Sequence, residues 1–328
     1  MCDLESSCYS RHFCVKNKIG NTMNRNKYNT YAMFDGSLRM QIFEVEADGS
    51  VPLGALEMLK DERITTLELS SDDCNNWKPV LDIYNGRGYL SIYTNKFNFK
   101  LLEGYNNLEQ LNIEVSSMKQ GFDLSKLESL KYLNIRAGKS IEKINFCSKS
   151  LKALRLSYLS VENLKLFNAL DVVEFLSIYR STKLKTLDGI EHMNKLKNVW
   201  LVNNSNIQSI EALVELNNLV DLKLEENKRL VKYSPVSNIK KLDNLMIAGL
   251  TDSIGFLGNC NNLTQLSFGL KVGDGDLTPL KKLINLSYLD GRDRKGQSPS
   301  FNEIKSYLIE NHQYSEMLKY IPDFDAYI

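Results

Sequence analysis

The residues able to perform covalent or metal chemistry are few and scattered along 328 positions. There are three histidines, His12, His192 and His312, and six cysteines. Cys2, Cys8 and Cys14 crowd the amino terminus beside His12. No CxxC pair occurs, and these intervals match no common zinc spacing. No spacing sets His192 or His312 beside a serine or cysteine in the manner of a hydrolytic triad. The stretch "LKVGDGDLTPL" at 270–280 has glycines and aspartates that suit calcium or phosphate. It lacks the EF-hand's ligand order and the P-loop's Gly-Lys-Ser/Thr, so it reads as a turn. The sequence predicts no enzyme, no cofactor and no metal.

The chemistry of contact is better represented. In "LKNVWLVNN", residues 196–204, strand alternation turns Val199 and Leu201 inward and Trp200 outward. Such a ring on a soluble chain asks for something to cover it. The chain is 43% hydrophobic and 25% charged, an ordinary globular composition. Its 41 basic and 40 acidic residues leave a net charge of +1, which argues against a general nucleic-acid binder. No run approaches the roughly 20 apolar residues that cross a bilayer, and the first residues lack the apolar stretch of a secretory signal. The expectation is a cytoplasmic chain away from membranes, monomeric when free, with reduced thiols. Met23 is a second candidate start beside Met1.

What positions these residues is a repeat. A block L-x-x-L-x-L, with β-branched and aromatic replacements, runs from "ITTLEL" at Ile64 through "LEQLNI" at Leu108, "VEFLSI" at Val173 and "LDNLMI" at Leu242 to a decayed "LSYLDG" at Leu286. Successive blocks begin 21 to 23 residues apart over ten intervals. "MQIFEV" from Met40 fits one further unit upstream, making eleven units and a twelfth. One such loop cannot bury its own apolar face, but stacked loops can.

In its best copy, "LKNVWLVNNSNIQSIEALVELNN", Leu196, Val199, Leu201 and Asn204 fall as L-x-x-L-x-L-x-x-N, and Ile207, Ile210, Leu213 and Leu216 supply the return. Over about Met40 to Asp290 the chain resembles the leucine-rich repeat family, in its short bacterial internalin-like class. The resemblance implies an α/β solenoid with a parallel β-sheet on the concave face and a 3₁₀, extended or short helical convex side. The departure is the ladder asparagine. Asn204 and Asn227 hold its place, but Ser116, Gly138, Leu159, Ser181, Leu250 and Lys271 stand there in other copies, which predicts irregularity around Leu159 and Leu250. Residues 1–26 read as a loose tail, 27–63 as an amino-terminal cap with a first irregular repeat, 64–290 as the repeats, and 291–328 as a helical cap. A hairpin is expected around Asp35-Gly36, and a helix from Ser300 with apolar Phe301, Ile304, Leu308, Met317 and Ile321 and a Ser300/Glu303 capping box.

In this register the second, third, fifth, seventh and eighth places of each block lie on or beside the concave face. Tyr89, Tyr93, Tyr132, Arg136, Arg155, Tyr158, Phe175, Tyr179, Arg180 and Trp200 then form one zone, with Lys223 and Met246 following. Tyrosine, tryptophan and arginine are enriched where interfaces carry their binding energy. Cross-strand aromatic pairs also stabilise a sheet by themselves, by roughly 0.2–1 kcal/mol each. Asp221, Glu225, Glu226 and Asp243 follow as an acidic rim. The reading is a protein-binding scaffold that captures another protein, of the immunity or inhibitor kind. The alternatives are a surface or secreted adhesion module and a glycan or small-ligand binder.

Overall fold

The structure is a computed structural model describing residues 27–312 and 314–315. Cys2, Cys8, Cys14, His12, Met23, Met317 and Ile321 lie outside the described residues. Among the described residues a single thirteen-stranded sheet runs in strict sequence order. The first two strands, β1 (Tyr28–Ala32) and β2 (Leu38–Ile42), pair antiparallel across the turn that holds Asp35 and Gly36. From β2 onward every neighbour is parallel: β3 (Ile64–Leu69), β4 (Gly88–Ile92), β5 (Leu108–Glu114), β6 (Tyr132–Arg136), β7 (Ala153–Ser157) and β8 (Phe175–Tyr179). The series continues with β9 (Asn198–Val202), β10 (Asp221–Glu225), β11 (Asn244–Thr251), β12 (Gln265–Val272) and β13 (Tyr288–Gly291). The twelve parallel strands are the leucine-rich units of the sequence.

The alternation does what the blocks demand. Leu176 and Ile178, Val199 and Leu201, and Leu222 and Leu224 all face inward and are fully buried. A unit of some 22 residues leaves little chain for the return, so most units come back through a 3₁₀ turn. In the unit of β9, Leu213 N–H donates to Ile210 at 3.0 Å and Leu216 N–H to Leu213 at 3.1 Å. Ile207, Ile210, Leu213 and Leu216 close the core from that side. Only the first two units return through α-helix, in α1 (Leu53–Met58) and α2 (Lys78–Tyr84). Pro79, in the first turn of α2, costs no internal hydrogen bond there. After β13, α3 (Phe301–Asn311) turns Phe301, Ile304 and Leu308 onto the last unit, and Ser300 and Glu303 form the reciprocal capping box.

The missing asparagines are compensated rather than disruptive. Asn204 Oδ1 accepts from Ser181 N at 3.0 Å while its Nδ2 donates to Ile178 O at 2.9 Å, and Asn227 repeats the pattern on Asn204 N and Leu201 O. Ser181 does half of that work, its Oγ accepting from Leu159 N at 3.1 Å. The strand pairing is regular up to Ser157, and Leu159 N is satisfied just beyond it. Asp72 and Asn95, which the ladder reading overlooked, serve the first units. Asp72 accepts from Asn95 N, and Asn95 accepts from Ser116 N, each at 2.8 Å. At Leu250 the solution differs: β11 and β12 go on pairing to Thr251 and Val272, so sheet bonds replace the side chain. Gly249 permits this with φ +148, where a Cβ would stand 2.7 Å from the Tyr233 hydroxyl.

Candidate protein-binding face

Strand pairing sets the candidate residues in three rows across the concave side. Tyr89, Gln110, Tyr132, Ala153, Phe175, Asn198, Asp221 and Asn244 form one row, and Ser91, Asn112, Asn134, Arg155, Ser177, Trp200, Lys223 and Met246 the next. Glu114, Arg136, Ser157, Tyr179, Val202 and Glu225 make the third. The outward row assignments of the sequence are those of the structure.

Outward on a concave sheet does not mean exposed, and two of the twelve expected residues are corrected. Phe175 has 0% of its surface exposed, because the Trp200 ring covers it edge-on with centroids 5.0 Å apart. With Ala153, Tyr132 and Trp200 it makes a second, small apolar cluster on the concave side. Arg155 is only 7% exposed, its guanidinium 6.0 Å from the Tyr179 ring. Long side chains on neighbouring strands converge over these positions. Neither side chain is offered to a partner.

Trp200 itself is half-buried and tied down. Its Nε1 donates to Asp221 Oδ2 at 2.7 Å, and Lys223 Nζ lies 5.3 Å from its ring centre. Of the expected acidic rim, Glu226 is exposed, while the other three are engaged within the chain. Asp221 is buried, accepting also from Asn198 at 3.2 Å and from Asn244. Glu225 pairs with Lys223 at 2.9 Å and Asp243 accepts from Thr264 at 2.5 Å. Desolvation pushes the Asp221 carboxyl above its ordinary value despite these donors.

Towards the amino-terminal side the face is polar beneath its tyrosines. Asn134 donates to Asn112 at 2.7 Å, and Asn112 to the Tyr93 hydroxyl at 3.1 Å. Burial pushes the Tyr93 phenol up to about 12 and raises that of Tyr89, so both stay O–H donors. Glu68 is buried against Arg39 and shifted upward by desolvation. Sequence reasoning singled out neither this ion pair nor the two asparagines. Their only signal was place in the pattern: Glu68, Asn112 and Asn134 share the row of Trp200, and Arg39 that of Tyr89.

The accessible part of the zone is built differently. Tyr158 and Arg180, each just past its strand, have φ of +57° and +50°, and Asn203 and Glu226 repeat this at the same place two units on. Non-glycine residues avoid that region unless the fold imposes it. Here the imposed bonds are Tyr158 N to Tyr179 O at 2.9 Å and Arg180 N to Val202 O at 3.1 Å. The Arg136 guanidinium sits 4.3 Å from the Tyr158 ring centre, and Arg180 Nη1 donates to the Tyr158 hydroxyl at 3.0 Å. Arg136 is also held by Glu114. Arg136 and Arg180 are exposed, and Tyr89, Tyr132, Tyr158, Tyr179, Lys223 and Met246 half-buried; Tyr93 is 36% exposed.

No protein-family model and no curated protein matches the chain. Solved structures do. An internalin from Listeria monocytogenes aligns over 88% of this chain and 90% of its own at 14% identity, with a TM-score of 0.50. A chain of the Toll–Spatzle complex from Drosophila aligns over 89% of this chain and 44% of its own at 17% identity, with a TM-score of 0.63. At such identities the likeness speaks to architecture. With the sheet and its rows, it establishes that this chain is a leucine-rich-repeat solenoid, similar in fold to the internalins.

Proposed function

We propose that the chain is a non-enzymatic scaffold that captures one protein on its concave sheet and neutralises it by occupying its surface. The observation that carries this reading is the Arg136–Tyr158–Arg180 assembly, flanked by Tyr179 and Trp200. These side chains are fixed by contacts within the free chain, so little conformational freedom is left to lose on binding. Tyrosine and arginine at the centre of a zone are the residue types on which interfaces concentrate their energy. In the Toll–Spatzle complex a structurally similar chain is part of an assembly with another protein, which supports a protein as the ligand class.

The test is co-purification from native cells with wild type and with Tyr158→Ala/Arg180→Ala. These positions are better probes than Trp200, whose ring covers the buried Phe175. One stoichiometric protein, present with wild type and lost with a variant of unchanged melting temperature, is the expected result. Equal recovery by both proteins sinks the assignment of this zone.

A further inference from the structure

The two ends of the sheet are finished in unlike ways. At β13 the outer edge is closed: Leu289 N–H donates to the Tyr314 hydroxyl at 3.2 Å, and α3 packs its apolar face alongside. At β1 no strand among the described residues pairs with the outer edge. Met33 N–H donates to Ser37 O and Phe43 N–H to Lys27 O, which makes the odd-numbered residues of β1 those bonded to β2. In an antiparallel pair the alternate residues turn their N–H and C=O away. Tyr28, Thr30 and Ala32 therefore present their backbone groups outward.

Open edges are normally guarded by charge, proline or a bulge, and terminal repeats by a polar outer face. β1, "YNTYA", has none of these guards, and its pairing with β2 is unbroken. The surroundings include exposed apolar side chains. Phe34 in the hairpin turn is 75% exposed and Leu53 at the start of α1 79% exposed. Gly54, next to Leu53, packs under the Tyr28 hydroxyl. A cavity of about 760 Å³ opens there, its wall shared between the apolar Val51, Pro52 and Leu53 and the polar Glu46, Asp48 and Asn75.

We propose that this end is a homodimer interface in which β1 pairs antiparallel with β1 of a second copy, about a two-fold axis at Thr30. The edge is complementary to itself. Thr30 meets its own mate and Tyr28 meets Ala32 of the other copy, so every outward N–H finds an outward C=O. The strand holds no charge to repel its twin, and the whole chain carries a net charge of only +1. A dimer departs from the monomer that the sequence predicted. The surface is separate from the concave zone, so the two assignments stand or fall independently.

The experiment is sedimentation of the full chain across a concentration series, for wild type, Thr30→Pro and Ala32→Pro. Proline deletes an outward N–H at a position that gives nothing to the β2 ladder. The expected result is a concentration-dependent wild-type dimer. Thr30→Pro removes two inter-chain bonds at the axis and weakens it by roughly tenfold or more, with unchanged circular dichroism. Ala32→Pro, at an exposed position, serves if Thr30→Pro fails to fold. A wild type that stays monomeric to its solubility limit overturns the proposal, as does a dimer that survives both substitutions. Hydrogen exchange separates a remaining case. Protection of the Tyr28, Thr30 and Ala32 amides that persists on dilution means that the chain covers its own edge, which also overturns it.

Discussion

Trp200 and Asp221 form one unit, and a substitution at either is first a perturbation of the fold. The indole supplies a charge-assisted hydrogen bond to a carboxylate that is 3% exposed, and its ring roofs Phe175. Trp200→Phe keeps the roof and loses the bond. The expected loss is about 1.5–3 kcal/mol of stability, read as a lower urea midpoint at unchanged slope. An unchanged midpoint would show that Asp221 is satisfied without the indole. The carboxylate also imposes a pH dependence. Its folded-state pKa lies above the ordinary 3.8, so folding favours the protonated form. The associated stability is fully present below 3.8 and is lost as pH rises through the folded-state value. Asp221→Asn should therefore flatten the fall in stability as pH rises above the ordinary carboxylate value of 3.8, relative to wild type. A steeper fall in the variant would reverse the sign and refute the burial argument.

At the scale of the repeat, stability rests on how each unit finishes its backbone hydrogen bonds where strand gives way to turn. Asn204 serves two buried backbone groups; Ser181 serves Leu159 N and Tyr179 O, but Tyr179 O also accepts from Tyr158 N, so losing Ser181 orphans one group. Asn204→Ala should cost about 3 kcal/mol or more, since each orphaned group costs about 1–3, and Ser181→Ala about half as much. Thermal and urea unfolding of the two variants measure the ordering, and equal losses would refute it. The same junctions show what a sequence can and cannot tell. Period and alternation set the rows, and all of them are paired as read, because a slip of one residue would have turned every leucine to solvent. Depth within the concave face was not legible. Phe175 and Trp200 look alike in a pattern of faces, and only the curvature and the side chain on the next strand decide which covers the other. The ladder was half legible: an asparagine consensus finds Asn204 and Asn227, but passes over Ser181 and the extended pairing of β11 with β12 that does the same work.

For the molecule as a whole, the charges of the concave zone are largely answered within the chain. Arg39 meets Glu68, Arg136 meets Glu114 and Lys223 meets Glu225, on a chain of net charge +1. What the face offers is shaped aromatic area with local polar handles, spread over the six strands from β4 to β9. Five spacings of ~4.8 Å make that zone on the order of 25 Å long, enough for one side of an ordinary protein interface. Long-range steering requires an uncompensated field, and fields from exposed charges fade beyond about 8–10 Å at physiological salt. Capture of the partner should thus depend weakly on ionic strength. Raising salt from about 0.05 M to about 0.5 M is expected to change Kd by less than about tenfold, with association in the unsteered range of roughly 10⁵–10⁶ M⁻¹s⁻¹. Surface plasmon resonance across a salt series, once the co-purifying protein is in hand, measures both quantities. A loss of a hundredfold or more, carried by the association rate, would mean that the arginines around Tyr158 are steering, and the weight of recognition would move from the aromatic surface to charge.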